Sequence, residues 1–301
     1  MFYFLDFGHI LSCLCEFAKG DLRMTHSLTF AVIGGDRRSF YAAKRLGEYG
    51  FETKLFGLEN EEAYNPSEKI QTDTVLLPVP FTRDGIHIFA PESAESILIS
   101  DVLASISENS LIFAGNVNGI TDERILDYAK RETFAVRNAV PTAEGALLLA
   151  LRNGKRTLFG MRVAVIGYGK VAFATAKLFH AVGAEITVFA RKAQARAEAH
   201  MMGYTARPLT ELSACAGEYG ILINTVPARI LDREILSKLA KSAWVMELAS
   251  APFGLDFDEA KSLGVHAELA SGLPGKFFPE TAGYAVADTV LDLLREKEIL
   301  F

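Results

Sequence analysis

The sequence predicts an α/β protein made of two doubly wound, Rossmann-like domains, the second of which carries a dinucleotide-binding turn. Half of the 301 residues are hydrophobic, which is enough for two cores. Apolar runs of strand length alternate with helical patterns in both halves, and one such run enters a Gly-x-Gly-x-x-Ala turn at residue 167. We expect a first domain over residues 24–140, an NAD(P)-binding domain over 141–279, and a closing helix within 280–301 that packs back.

The pattern in the first half of the sequence predicts a substrate domain. Its first turn, Gly34-Gly-Asp-Arg-Arg, lacks the dinucleotide spacing and places Asp36, Arg37 and Arg38 at the carboxyl end of a strand, where open sheets bind ligands. The predicted strands are Leu28–Ile33, Glu52–Phe56, Asp73–Pro78, Gly85–Ala90 and Ser110–Ala114, and the predicted helices are Ser39–Tyr49 and Ser100–Ile106.

A helix is expected to connect the two domains. Thr142 is a candidate N-cap, Glu144 would then lie in the first turn, where the helix dipole favours a carboxylate, and an apolar run follows over Ala146–Leu151. The second half then predicts strands at Val163–Ile166, Glu185–Ala190, Ile221–Asn224, Trp244–Glu247 and near His266, and helices at Lys170–Val182, Ala193–Met202, Asp232–Leu239 and Thr281–Arg295.

The Gly167-Tyr-Gly-Lys-Val-Ala turn predicts the pyrophosphate site of a dinucleotide. Gly167 permits the tight turn, Gly169 lets the backbone approach the phosphates, and Lys170 and Val171 open a helix whose free N–H groups face the anion. About 20 positions on, where an NAD site places an acidic residue, this chain has Arg191 and Lys192. Two cations suit a 2′-phosphate, so we expect NADP, with NAD as the alternative.

Composition excludes several classes of partner. The net charge is −6 without a long basic run, which argues against nucleic acid and an anionic membrane surface and favours a small molecule. Three cysteines give neither a disulfide framework nor a metal-spaced cluster, so we expect no metal and a cytoplasmic location. Residues 1–23 are apolar but interrupted by charges, and we interpret them as a non-native or disordered extension ahead of Met24.

Three loops follow strands of the second half and are expected to line one crevice at the ribose and nicotinamide. Small or hydroxyl residues there leave room for a flat ring, although proline and glycine also simply end strands. The candidate cofactor-binding residues in these loops are Asn224, Thr225, Val226, Pro227, Ala249, Ser250 and Gly272.

Several short motifs together resemble the family of dipicolinate synthase A subunits across nearly all of residues 28–298. They are Ile33-Gly-Gly-Asp, Leu77-Pro-Val, Val140-Pro-Thr-Ala-Glu-Gly, Gly167-Tyr-Gly-Lys, Ile223-Asn-Thr-Val-Pro, Glu247-Leu-Ala-Ser and Gly272-Leu-Pro-Gly. The resemblance implies a build like that of formate/glycerate dehydrogenases, oxidation of 2,3-dihydrodipicolinate to dipicolinate with a nicotinamide cofactor during sporulation, and a flavoprotein-like B subunit. Ala251 and Phe253 stand where the family tends to have arginine and glycine.

A dianionic substrate requires cations and hydroxyls, for which the candidates are Arg38, Thr82, Arg83 and Lys276, with Thr142 at the interdomain helix. Glu144 is the candidate general base, since no histidine falls in a predicted site loop. His87 is near the crevice of the first domain but is expected to pack within the Gly85–Ala90 strand. Each cation could instead form a surface ion pair, and water could take the proton. We expect a homo-oligomer.

Two other functions remain open. A D-2-hydroxyacid dehydrogenase shares the build, but it needs a histidine acid/base after the last strand, where this chain reads Gly272-Leu-Pro-Gly-Lys. A regulatory protein that senses NADP without turnover is the alternative from a non-enzymatic class.

Overall fold

The first domain contains a parallel sheet of five strands in the order β2-β1-β3-β4-β5. This computed structural model describes residues 28–59 and 61–300, so the predicted extension over 1–23 lies outside the described residues. The strands are β1 (Thr29–Ile33), β2 (Glu52–Phe56), β3 (Thr74–Leu76), β4 (Leu111–Ala114) and β5 (Ile125–Asp127), and the helices are α1 (Arg37–Glu48) and α2 (Ile99–Ser105).

The second domain contains a parallel sheet of six strands in the order β11-β10-β9-β6-β7-β8, the order of a dinucleotide-binding Rossmann sheet. Its strands are β6 (Arg162–Ile166), β7 (Glu185–Ala190), β8 (Thr205–Pro208), β9 (Ile221–Asn224), β10 (Trp244–Glu247) and β11 (His266–Leu269). Its helices are α4 (Lys170–Ala181), α5 (Ala193–Met201), α6 (Leu212–Cys215), α7 (Arg233–Lys238), α8 (Phe257–Ser262) and α9 (Leu273–Phe277). The predicted fold class of two doubly wound sheets is confirmed.

Two long helices join the domains, α3 (Glu132–Asn153) and α10 (Pro279–Glu296). The first half of α3 contributes Phe134 to the core of the first domain, whereas Ala146 and Leu149 pack into the second core. The last helix, α10, packs on α1 with Val286, Val290 and Leu294 in the first core. Within the described part of the chain, no helix combines the length and apolar character needed to cross a bilayer.

The expected helix start at Thr142 is wrong. The helix begins ten residues earlier, at Glu132, and continues through Pro141. Thr142 therefore lies in the helix interior, where its hydroxyl donates to the Asn138 carbonyl oxygen at 2.7 Å, and Glu144 is not in a first turn. Tertiary contacts on both sides of Pro141 outweigh its missing N–H, since Phe134 packs into the first core and Ala146 and Leu149 pack into the second.

The first domain differs from the sequence prediction at two further places. Residues 85–90 do not form the predicted strand: Ile88 forms an isolated bridge with Thr82, and His87 forms one with Leu98. We call residues 81–90 the edge hairpin. The short edge strand β5 has no alternating apolar pattern and was not predicted. In the second domain β8 was missed for a similar reason, since it contains few apolar residues and ends in proline.

Candidate active site

The glycine turn after β6 has the geometry that a pyrophosphate requires. Gly167 has φ +93°, and a Cβ there would lie 2.6 Å from the Thr225 hydroxyl oxygen, so no other residue fits without a shift. Gly169 caps α4 and has nothing within 4 Å of its Cβ position, which leaves the backbone open to a ligand. No side chain caps α4, and its first N–H groups are available to an anion; Val171 is half-buried behind them.

The residues predicted to bind the 2′-phosphate lie just after β7. Arg191 and Lys192 are both exposed, and within the described residues neither side chain has a hydrogen bond or ion pair. A third cation, Arg196, was missed: its guanidinium donates to the carbonyl oxygens of Ala190 and Arg191 at 2.9 and 2.8 Å and fixes the strand end. The loop thus presents two unpaired cations on a braced backbone.

The side-chain amide of Asn224 is used in hydrogen bonds within the protein. Its Nδ2 donates to Glu247 Oε1 at 2.7 Å and to the Val226 carbonyl oxygen at 2.9 Å, while its Oδ1 accepts from the Val226 N–H. Thr225 donates its hydroxyl to the Ile166 carbonyl oxygen at 2.8 Å. These two side chains therefore shape the wall behind Gly167, where Thr225 and Val226 are half-buried and Pro227 is exposed.

Glu247, which sequence reasoning did not single out, is fully buried at the end of β10. Burial raises its pKa, and hydrogen bonds from Asn224 and from the N–H groups of Gly254 and Ala249 oppose the shift. The carboxylate thereby fixes the loop that contains buried Ala249 and exposed Ser250. Phe253 in this loop has φ +59°, a conformation that favours glycine, at the position where the resembled family tends to have one.

The carboxyl edges of the two sheets meet at α9. Gly272, at φ +66°, starts this helix after β11. A Cβ on Gly275 would lie 2.8 Å from Arg38 Nε, and a Cβ on Gly145 would lie 2.8 Å from Leu273 Cβ. The short helix α9 therefore contacts both the turn after β1 and the connecting helix α3, and Lys276 is exposed on it.

Arg38 lies at this junction but is already paired. Its Nε and Nη2 donate to the two carboxylate oxygens of Asp36 at 2.8 and 2.9 Å, and the side chain is 15% exposed. The bidentate pair braces the start of α1, where the Asp36 carboxylate also accepts the Arg38 N–H. Arg38 can still contribute positive charge to the junction, but a substrate carboxylate would share it with Asp36.

The connecting helix brings Thr142 and Glu144 to the same junction with different exposure. Thr142 is buried and donates to its own helix, so it is not free to bind substrate in this arrangement. Glu144 is exposed beside Gly145, which contacts α9. At the start of α3, Glu132 pairs with Lys170 at the start of α4, so the Lys170 ammonium links the domains next to the pyrophosphate turn.

Thr82 and Arg83 lie in the edge hairpin. The Thr82 hydroxyl donates to Asp84 at 3.2 Å and accepts the Gly85 N–H at 2.9 Å. The exposed Arg83 guanidinium lies 4.3 Å from the centroid of the Phe89 ring. His87 is half-buried, and its Nδ1 lies 2.7 Å from Asp84 Oδ2, so the expectation that His87 packs within a strand is wrong.

The sequence matches known proteins in both domains. Residues 29–134 match the family model for the N-terminal domain of the dipicolinate synthase A subunit, and residues 131–253 match the D-isomer specific 2-hydroxyacid dehydrogenase, NAD binding domain. The dipicolinate synthase A subunit of Bacillus subtilis (strain 168) is 31% identical over 290 residues, which cover 91% of this chain and 98% of that protein.

The chain belongs to the family of dipicolinate synthase A subunits.

Solved structures agree with this membership. The dipicolinate synthase A subunit from Bacillus halodurans has a TM-score of 0.79 at 27% identity, covering 90% of this chain and 99% of that chain. Salmonella D-lactate dehydrogenase has a TM-score of 0.58 at 13% identity, covering 88% and 96%, and shares the fold alone. This member of the family thus contains an NAD-binding dehydrogenase domain, which makes it an oxidoreductase that uses a nicotinamide dinucleotide.

Proposed function

We propose that this protein oxidises 2,3-dihydrodipicolinate to dipicolinate with NADP as the hydride acceptor. The observation that carries the proposal is the junction at α9, where the segment after β11 of the cofactor domain contacts the cation-bearing turn after β1 of the other domain. The product is an aromatic pyridine, so aromatisation supplies much of the driving force and the protein mainly has to hold and orient a dianion.

The residues present fit a dinucleotide. The open backbone at Gly169 and the uncapped N-terminus of α4 suit a pyrophosphate, and the wall formed by Val226 and Pro227 suits a flat ring. When bound, NADP would supply the hydride acceptor. Arg191 and Lys192 favour the extra phosphate of NADP because neither cation is neutralised by a described neighbour.

Cationic side chains of both domains would bind the substrate carboxylates. Lys276 and the Arg38–Asp36 pair lie at α9, and Arg83 extends from the edge hairpin. Glu144 is the exposed carboxylate at this junction and our first candidate to accept the ring proton, with buried Thr142 behind it. Asn224 and Thr225 would act by holding the wall of the cofactor site.

The Bacillus subtilis relative is named as one lettered component of a synthase, which implies a second component. We propose a flavoprotein-like B subunit as the partner of this chain, in the cytoplasm of sporulating cells, and we propose that this chain also forms a homo-oligomer. The D-2-hydroxyacid dehydrogenase alternative is less favoured, because the segment after β11 contains Gly272-Leu-Pro-Gly-Lys and no histidine.

Absorbance at the reduced-nicotinamide band tests the proposal. Purified protein is mixed with freshly generated dihydrodipicolinate and NADP, or NAD, with and without a B-type partner, and with D-lactate as the control substrate. We expect NADPH to form with dihydrodipicolinate only. Binding of NADP without reduction in any mixture would favour the sensor, and reduction with D-lactate would favour the hydroxyacid dehydrogenase.

A further inference from the structure

The edge hairpin lies across the carboxyl edge of the first sheet. Its Phe89 carbonyl oxygen accepts the Gly35 N–H at 2.7 Å, and its Phe81 N–H donates to the Gly115 carbonyl oxygen at 2.7 Å. Gly35 follows β1 and Gly115 follows β4, so the hairpin is anchored on the loops after two strands. Doubly wound sheets bind their ligands outside this edge.

The hairpin contains a fixed histidine–carboxylate pair. Asp84 Oδ2 lies 2.7 Å from His87 Nδ1, while Asp84 Oδ1 accepts the N–H groups of Ile86 at 2.9 Å and His87 at 2.8 Å. These hydrogen bonds, first that from the His87 N–H, hold the pKa of Asp84 well below its usual range. An ionised Asp84 can only accept, so the neutral imidazole of His87 carries its proton on Nδ1 and its lone pair on Nε2.

No other described histidine has this combination of position and partner. The His180 ring contacts Tyr204 with centroids 5.3 Å apart, and the His266 ring stacks on Trp244 at 5.8 Å. His200 is exposed on the helix α5. Within residues 28–59 and 61–300, His87 is therefore the histidine at the carboxyl edge of a sheet, and 38% of its side chain is exposed.

We propose that His87 is the base of the oxidation, with Asp84 as its positioning residue; the inference rests on the proposed function and replaces Glu144 in that role. In the dihydropyridine, one saturated ring carbon loses a hydride to the oxidised nicotinamide. The neighbouring saturated carbon loses a proton to His87 Nε2, and the electron pair of that second C–H bond completes the aromatic ring. The base then returns its proton to water.

The same hairpin supplies charge for the substrate. Arg83 is four residues before His87, and its guanidinium is held over the Phe89 ring without a carboxylate partner among the described residues. A guanidinium can bind a carboxylate in bidentate geometry, which would place an adjacent ring carbon near the imidazole. The hairpin thus combines a base and an anion-binding group on one rigid support.

Activity and chemical rescue test the assignment in the full-length protein. We expect His87→Gln to lower kcat for NADP reduction by about 100-fold or more, the usual contribution of a general base. Exogenous imidazole should restore part of the activity of His87→Ala, and Asp84→Asn should lower kcat more than it changes KM. His200→Gln, the same change at an exposed position on α5, is the matched control and should keep wild-type activity.

The outcomes separate this inference from the proposed function. If the wild-type protein is active and His87→Gln lowers kcat less than threefold, the assignment is overturned. A large loss of kcat in Glu144→Gln without a loss in His87→Gln would overturn it as well. A loss in His87→Ala that imidazole does not restore, with unchanged NADP affinity and unfolding temperature, would also contradict a proton-transfer role. If the wild-type protein forms no NADPH with or without a B-type partner, the proposed function itself fails.

Discussion

The contact between α1 and α10 makes a specific prediction for Gly283. A Cβ at this position would lie 2.7 Å from Tyr41 Cβ and 2.9 Å from the Ala42 backbone nitrogen, and closer still to the Arg38 carbonyl oxygen. Ordinary van der Waals contact begins near 3.4 Å, so relieving the shortest of these contacts, the one to the Arg38 carbonyl oxygen, needs the two helices to separate by about 1 Å. Backbone atoms cannot move aside as a flexible side chain can.

The cost of this separation exceeds the gain in helix propensity. Overpacking a tight core contact costs about 1–3 kcal/mol, whereas alanine gains about 1 kcal/mol over glycine inside a helix. Moving α10 away from α1 would also loosen Val286 and Val290 in the first core, which adds to the cost. We therefore expect Gly283→Ala to reduce the free energy of unfolding by about 1–2 kcal/mol.

Urea unfolding followed by circular dichroism measures this effect, and Gly47→Ala is the matched control. Gly47 is exposed in α1, the other helix of the same pair, and has nothing within 4 Å of its Cβ position. Gly47→Ala should therefore stabilise the protein by about 0.5–1 kcal/mol. The packing argument is refuted if both substitutions shift the midpoint in the same stabilising direction.

Three further predictions concern other parts of the molecule. Arg191→Ala should weaken NADP binding about 10- to 100-fold, which corresponds to the loss of one charge-assisted hydrogen bond, and should leave NAD binding nearly unchanged. Calorimetric titration with each cofactor measures this, and equal losses of affinity would mean that Arg191 does not bind the 2′-phosphate. Glu247→Gln should destabilise the protein by about 1–3 kcal/mol, because the new amide would face the donors of Asn224 and Gly254; an unchanged melting temperature would contradict the network. Glu298→Gly should stabilise the protein by about 0.5–1 kcal/mol, since this exposed residue has φ +57° just after α10; a lower melting temperature would exclude strain there.

The sheets of the protein could be predicted from local pattern because their central strands are continuous apolar runs. β1 and β6, which are buried along nearly their whole length, were found within one residue of their observed ends. The glycine turn at residue 167 was found because its spacing reflects backbone requirements that do not depend on distant residues. The edge strands β5 and β8 and the start of α3 were missed because contacts made elsewhere in the chain decide them.

The candidate site was predicted less well because it depends on pairings between distant residues. Nothing local indicates that the Asn224 amide is used by Glu247, since 23 residues separate them. The Arg38–Asp36 pair and the Asp84–His87 pair are close in sequence, and their spacings of two and three residues were available as a signal. Both pairs were missed because a short spacing in sequence shows only that two side chains can reach each other. Whether they form a hydrogen bond depends on the local backbone conformation, which the spacing does not give.

The return of α10 to the first domain has a consequence for synthesis on the ribosome. The first core joins Phe30 and Val32, near the beginning of the chain, to Leu294 and Leu300 at its end. The second domain, by contrast, is contiguous in sequence from β6 to α9. Although domains translated first generally fold first, here the sheet of the earlier domain lacks one covering helix until α10 has left the exit tunnel. The later domain can complete its fold before then, so the first domain and its junction with α9 are completed only after the second domain has been translated.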